Sequence, residues 1–246
     1  MCLHPWKGNE VTDVTLLVKA CDRHNCVLRL LKSIRQFYPG VPVIVLDDGE
    51  TDPGDAVYEH DVQYCFNQGA DYGLSKGRNM LVDLADTRFV VILDDDFVFT
   101  RKTNLEALRH FVAGGIFDLA GGAVREQGGV KHFEGMLEMK GTTLHRTHVK
   151  LCAPGFVDAV PNFFLAERAV LQKLRWNEQL KLGEHQAFFL DAKAAGAKVG
   201  FLPDVEIYHD RLRPAVYIER KTRAFHYFNL FMKLYGIENV TGSLSS

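Results

Sequence analysis

Residues 14–18 form a short apolar run between polar neighbours, the pattern of a buried strand. The period then changes. Val27, Leu30, Leu31, Ile34 and Phe37 recur at helical spacing until Pro39-Gly40 ends the pattern. Residues 41–46 read as a second buried strand running into Asp47-Asp48-Gly49, and residues 62–66 as a third after a turn-rich stretch. Gly69, Gly73 and Gly77 punctuate the next loop, and Met80, Leu81, Leu84 and Ala85 predict a helix with Ser75 as its N-cap. Residues 89–93 carry no polar side chain and lead straight into Asp94-Asp95-Asp96. Thr103 and Glu106 stand at capping-box spacing ahead of Leu108, Phe111 and Val112.

The second half is less regular. Residues 119–124 predict a strand, 130–139 a weakly alternating hairpin and 156–165 an extended run. Phe188, Phe189, Ala192 and Ala195 give a helix face that ends at Gly196. Residues 199–202 and 205–208 follow as two short strands, and Pro214 suits the first turn of a last, aromatic-rich helix ending near Gly236. Strands alternating with helices predict an α/β fold: a mostly parallel central sheet flanked by helices, in one domain over residues 1–246. Ligands of such sheets bind outside the carboxyl ends of the strands. Asp47-Asp48 and Asp94-Asp95-Asp96 both end strands, so one crevice is expected to hold them.

Composition narrows the function classes. With 47 % hydrophobic and 24 % charged residues the chain is not disordered. A net charge of −2 and no long basic run argue against nucleic acid as the partner, and so against a two-metal nuclease or polymerase. Five cysteines without a C-x-x-C pair argue against a zinc ribbon or a thioredoxin-like site and for mostly free thiols. No stretch reaches the roughly 20 apolar residues that span a bilayer, and residues 1–10 do not read as a signal peptide. The expectation is a soluble chain, cytoplasmic or else the catalytic part of a longer anchored protein. The sequon Asn239-Val240-Thr241 matters only on the secretory route.

Three adjacent carboxylates at a buried strand end repel one another, and a hard cation would make them tolerable. Alternation along extended chain turns Asp94 and Asp96 towards the crevice and Asp95 into the fold. Asp47-Asp48 alone is an ordinary turn sequence; beside the second acidic end it becomes a candidate for binding a base or ribose. Lys76, Arg78 and Asn79 open a helix after the glycine-rich loop, where backbone amides and cations suit a diphosphate.

Strand-end Asp47-Asp48, GLSKGRN over residues 73–79 and FVVILDDDF over residues 89–97 together resemble the nucleotide half of a GT-A glycosyltransferase. AVPNFFLAER (159–168), GEHQAFFLDA (183–192) and PDVEIYH (203–209) extend the likeness to the β-1,4-N-acetylgalactosaminyltransferase family that includes the ganglioside-synthesising enzymes. The resemblance implies a UDP-sugar donor, a glycan or glycoconjugate acceptor, and Mn²⁺ or Mg²⁺. It implies Asp94 and Asp96 as a DxD pair, with His209 completing the metal site. Asp47, Asp48, Lys19, Lys76, Arg78, Asn79 and Asp95 would lie around the donor. Residues 11–100 would form the nucleotide half and 101–246 the acceptor half. Glu184 and His185 would supply the catalytic base.

Both base candidates stand near a predicted helix start, where the dipole favours carboxylate over imidazolium. Glu184 is the expected base, because His185 shares a helix face with Phe188, Phe189 and Ala192 and reads as a core residue. Ala187, where an acidic residue precedes the Phe-Phe pair in the family pattern, keeps a non-catalytic carbohydrate-binding reading open. A sugar-nucleotide nucleotidyltransferase is the other rival. It would carry a glycine-rich loop after the first strand, where this chain has Lys19-Ala20-Cys21-Asp22.

Overall fold

In the computed structural model, residues 11–131, 134–210 and 217–244 are described. Pro214, expected in the first turn of the last helix, lies outside them. The expected strands form as β1 (Val14–Ala20), β2 (Val43–Asp47), β3 (Gln63–Phe66) and β4 (Phe89–Asp94). Between them lie helices α1 (His24–Phe37) and α2 (Gly73–Leu84). These four strands are parallel in the order β3-β2-β1-β4. β1 faces both ways: Leu16 and Val18 join one apolar cluster and Leu17 the other. A strand apolar on both faces is what a helix-covered parallel sheet requires.

Beyond β4 the sheet becomes mixed. β11 (Phe164–Glu167) pairs antiparallel with both β4 and β6 (Leu119–Glu126). β12 (Val199–His209) runs parallel to β6, with β5 (Phe97–Val98) and β10 (Gly155–Val157) on its flanks and β7 (Gly129–Lys131) on β6. Helices α1 and α3 (Leu105–Ala113) cover one face. Helices α2, α4 (Arg168–Lys173), α5 (Glu184–Ala194) and α6 (Tyr217–Leu234) cover the other. A small second sheet of β8 (Gly135–Lys140), β9 (Thr143–His148) and β13 (Asn239–Ser243) packs on that second face.

Several local expectations shift. Ser75 does not cap α2, which begins two residues earlier; its hydroxyl donates to the Leu180 carbonyl 2.5 Å away. Asn104 caps α3 by accepting from the Ala107 amide, while the Thr103 hydroxyl donates to the Glu206 carbonyl. The expected hairpin over 130–139 forms one strand later, between β8 and β9 about Gly141, whose φ of +58° suits glycine. The two short strands near the end are one, because a bulge between Leu202 and Glu206 bends β12 without breaking it. Gly236 closes α6 as expected, at φ +63°. The four described cysteines are free thiols, and no described helix is long and apolar enough to cross a membrane.

Candidate active site

At the carboxyl ends of β4 and β6 lies a crevice of about 280 Å³, walled also by the segment before β11, the start of α5 and the end of β12. That is just below the usual span of about 300–1,000 Å³ for ligand pockets and suits one sugar-sized group. Asp94, Glu126, Asn162, His185, Gln186 and His209 provide its polar wall.

Of the acidic triplet only Asp94, the last residue of β4, lines the crevice; Asp95 and Asp96 follow in a turn, so the alternation expected of extended chain does not carry through to them. Asp94, beside Lys19 of β1 in register, keeps 34 % of its side chain exposed. Its oxygens accept from Arg78 Nη2 at 3.0 Å and Asn162 Nδ2 at 3.4 Å. Burial pushes its carboxyl above the ordinary range; Arg78 pulls it down, and the charges of Asp96 and Glu184 push it up again. Asp95 turns away to Arg23, the residue before α1. That guanidinium spans two carboxylates, with Nη1 at 2.6 Å from Asp95 Oδ1 and Nη2 at 2.8 Å from Asp96 Oδ2. Asp96 Oδ1 faces His209 Nε2 at 3.1 Å. Burial would raise the Asp96 carboxyl, but the hydrogen bond and charge of His209 and the Arg23 pair outweigh it and hold it at about 2.

Behind His209 stands Glu126, 3.1 Å from Nδ1. The β6–β12 register pairs Tyr208 with Arg125 and so brings His209 alongside Glu126. With Nδ1–H donated to Glu126, Nε2 faces Asp96, donating to it when the ring is protonated and offering a lone pair to an ion when it is not.

Glu184 and His185 open α5 but point differently. The Glu184 side chain is 3 % exposed and ion-paired with Arg78 Nη1, and it does not line the crevice. His185 does, with Nδ1 at 2.8 Å from Asn162 Oδ1. Burial, aided by the Arg78 charge, lowers its imidazole pKa to about 3 against a Val160 backbone hydrogen bond that raises it. The ring is therefore neutral near pH 7. Ala187 is buried in the aromatic cluster of the second face.

The other expected donor residues form a buried scaffold. Lys19 Nζ lies 2.5 Å from Asp48 Oδ1, and Asp48 Oδ2 accepts from the Gly73 amide. Asp47 accepts from the Gly49 amide and the Tyr64 hydroxyl, with His24 Nε2 at 3.3 Å. Arg78 sits between Glu184 and Asp94, and Asn79 bonds to the Trp176 backbone and Glu178. Asp47, Asp48, Arg78 and Asn79 are buried and each has protein partners, as buried polar groups do. Lys76 alone is exposed, its ammonium 4.7 Å from the Tyr72 ring.

Glu126, Asn162, Gln186 and Arg23 were not foreseen. Asn162 reaches the crevice because β6 carries Gly121 and Gly122. A Cβ on Gly121 would lie 2.6 Å from Val160 Cβ, and one on Gly122 2.7 Å from the Phe163 ring. The glycine pair lets the segment holding Asn162 lie close against the sheet.

The sequence profile described as glycosyl transferase family 2 matches residues 15–175. The chain belongs to that family. It is 34 % identical over 209 residues to human beta-1,4 N-acetylgalactosaminyltransferase 1, covering 80 % of this chain and 38 % of that protein. It is 32 % identical to mouse beta-1,4 N-acetylgalactosaminyltransferase 2, covering 82 % of this chain and 40 % of that one. The chain thus spans about two fifths of the length of these relatives. The crystal structure of residues 1–349 of S. aureus TarS superposes with a TM-score of 0.62 at 18 % identity, over 89 % of this chain and 64 % of that one. The fold is the GT-A glycosyltransferase fold, as the sequence resemblance implied.

Family 2 membership makes the donor set for a divalent ion worth testing. Among the described residues, no group of three or more His, Cys, Asp or Glu side chains stands arranged to hold an ion. Two ligands do fit. Ligands about 2.1 Å from one octahedral ion and at right angles lie about 3.0 Å apart, and Asp96 Oδ1 and His209 Nε2 are 3.1 Å apart. Carboxylate oxygen with imidazole nitrogen suits Mn²⁺, with Mg²⁺ the harder alternative.

Proposed function

We propose that this chain is a metal-dependent, inverting glycosyltransferase. It moves a sugar from a UDP-sugar to a hydroxyl of a glycan, glycolipid or glycoprotein. The Asp96–His209–Glu126 chain beside the Asp94-lined crevice carries this reading: a ligand pair at chelating distance, with a carboxylate behind it to orient the imidazole. The names of the human and mouse relatives make N-acetylgalactosamine the first sugar to try; other hexoses and N-acetylhexosamines use the same chemistry.

In this reading residues 11–100 form the nucleotide half and 101–246 the acceptor half. Asp94, Asp96 and His209 would hold the ion, which would supply positive charge to offset that building on the departing diphosphate. Lys76, exposed at the start of α2, supplies a mobile cation for the same phosphates. The acceptor oxygen attacks the anomeric carbon from the face opposite the diphosphate. The bond from that carbon to the diphosphate oxygen breaks, UDP leaves, and the anomeric centre inverts. The acceptor proton goes to a base on the crevice wall. Of the two candidates His185 lines that wall, and Asn162 fixes its ring. A conjugate acid near 3 makes it a weak base, suited to taking the proton late, after attack has acidified the hydroxyl. Glu184 serves by locking Arg78.

The test is UDP release from UDP-N-acetylgalactosamine, UDP-N-acetylglucosamine and UDP-galactose over an acceptor panel, with and without Mn²⁺. Release should require the ion and fall on the order of a hundredfold or more in Asp96→Ala. Full turnover in that variant overturns the metal assignment. Pyrophosphate in place of UDP favours a nucleotidyltransferase, and donor binding without turnover a carbohydrate-binding module.

A further inference from the structure

On strands β6 and β12, side chains alternate between two sites. Val124, Glu126 and His209 line the catalytic crevice, while Arg125 and Tyr208, paired in register, point to the opposite face of the ladder. There a separate cavity of about 260 Å³ opens, lined by Arg101, Lys102, Arg125 and Glu206. We infer that this cavity is a second ligand site, built to hold a tetrahedral oxyanion, phosphate or sulfate.

The frame is Glu206. It is buried, and each carboxylate oxygen holds one cation: Oε1 takes Lys102 Nζ and Oε2 takes Arg125 Nε, both at 2.7 Å. Its backbone is pinned as well. The Glu206 amide donates to the Lys102 carbonyl at 3.0 Å, and its carbonyl accepts from the Thr103 hydroxyl at 2.8 Å. The bulge in β12 directly before Glu206 sets this position. Spending both oxygens on one ammonium and one guanidinium edge orders two otherwise flexible cations and leaves donors over. Lys102 keeps two N–H groups, and Arg125 keeps Nη1 and Nη2, which make no protein hydrogen bond among the described residues. Arg101, exposed at the rim, makes no side-chain hydrogen bond or ion pair among the described residues.

Three positive groups thus surround one carboxylate, in a chain whose net charge is −2. A cavity with that surplus and a free guanidinium fork suits an oxyanion that accepts several N–H bonds at once. An apolar ligand would leave those donors unanswered, and a cation would be repelled. The inference does not rest on the catalytic reading. The site uses the other face of the strands and none of the residues assigned to the reaction.

The test titrates anions into the full chain while the arginine Nε–H signals are followed by NMR. The Arg125 signal is identified by its disappearance in Arg125→Lys. The probes are inorganic phosphate, inorganic sulfate and glycerol phosphate. The Arg125 signal should shift saturably in the millimolar range. Arg101→Gln, a surface change that removes no internal contact, should weaken that affinity at least threefold, and Arg101→Gln/Lys102→Gln should abolish saturation. Tighter binding of glycerol phosphate than of the free ions identifies an esterified phosphate on a larger molecule as the ligand; equal binding identifies the free anion. An Arg125 signal that none of the probes moves, or that moves alike in wild type and double variant, overturns the proposal.

Discussion

Arg78 is the residue whose removal should reveal most about how the site is held. Its side chain is 2 % exposed, and it is the ion-pair partner both of Glu184, 3 % exposed, and of Asp94, 34 % exposed. Arg78→Met keeps most of the apolar stem and removes the charge. Glu184 is then stranded in the interior, while Asp94 can turn towards water. Deleting one partner of a buried ion pair costs about 3–5 kcal/mol, most of it the desolvation of the charge left behind. Unfolding entropy of about 2.1 cal/mol/K per residue amounts to roughly 0.5 kcal/mol/K for a chain of this length, so the melting temperature should fall by about 6–10 °C.

The reasoning is checked by a double-mutant cycle. Arg78→Met/Glu184→Leu removes both charges, and replacing a buried pair by apolar groups is often neutral. Chemical denaturation should therefore find the double variant more stable than Arg78→Met alone, with a coupling of about 2 kcal/mol or more. If the double variant simply sums the two single losses to within about 0.5 kcal/mol, Arg78 and Glu184 are not a coupled pair and the buried network is misread.

Three further outcomes follow from particular contacts. Glu126→Gln should weaken Mn²⁺ binding about 10- to 100-fold, read by manganese paramagnetic resonance, because the carboxylate behind His209 Nδ1 is lost; an unchanged affinity removes Glu126 from the site. Gly77→Ala should destabilise by about 1–3 kcal/mol, since the new methyl would lie 2.5 Å from Cε of Lys19, itself held by Asp48; a neutral effect in urea would mean the Lys19 stem gives way freely. His185 binds its proton near pH 3 when folded and at about 6.5 when unfolded. The unfolded chain is thus the greater proton binder between these values, and stability falls as pH drops through 6.5, by about 2 kcal/mol at pH 5. Melting curves of His185→Gln should show a shallower loss over that window, and an identical slope would contradict the buried neutral ring.

Local pattern was enough for the parallel half of the sheet. β1, β2 and β4 are largely apolar runs because helices cover both faces, and such runs announce themselves without tertiary information. The acidic ends of β2 and β4 flank β1, with Ala20 beside Asp47 and Lys19 beside Asp94, and of the two only the β4 end reaches the crevice, through Asp94. The mixed half resisted for the opposite reason. β5, β7 and β10 are two or three residues long, and only their partners define them. Glu126 ends β6 in a sequence that reads as an ordinary turn, and nothing local pairs it with His209, 83 residues on. The sequence ranked Glu184 above His185 as the base, but neighbours on a helix differ by about 100° in direction, and only the wall supplied by distant segments shows that His185 is the one facing the crevice.

The acidic triplet shows what adjacency hides. Three consecutive aspartates suggested a cation as the answer to their repulsion, yet each already has a basic partner drawn from a distant part of the chain. Asp94 takes Arg78 of α2, Asp95 takes Arg23 ahead of α1, and Asp96 takes Arg23 and His209 of β12. The fold therefore tolerates the triplet with or without an ion. An ion would take the place of the contact between Asp96 and His209, where imidazole must carry a proton to donate. Arg23 and Arg78 would stay in place and hold the outer oxygens, so that Asp96 Oδ1 and His209 Nε2 remain the atoms turned inward. Metal binding should on this account release a proton from His209 and be weakened by acid, while leaving the arginine clamps and the stability they provide almost untouched.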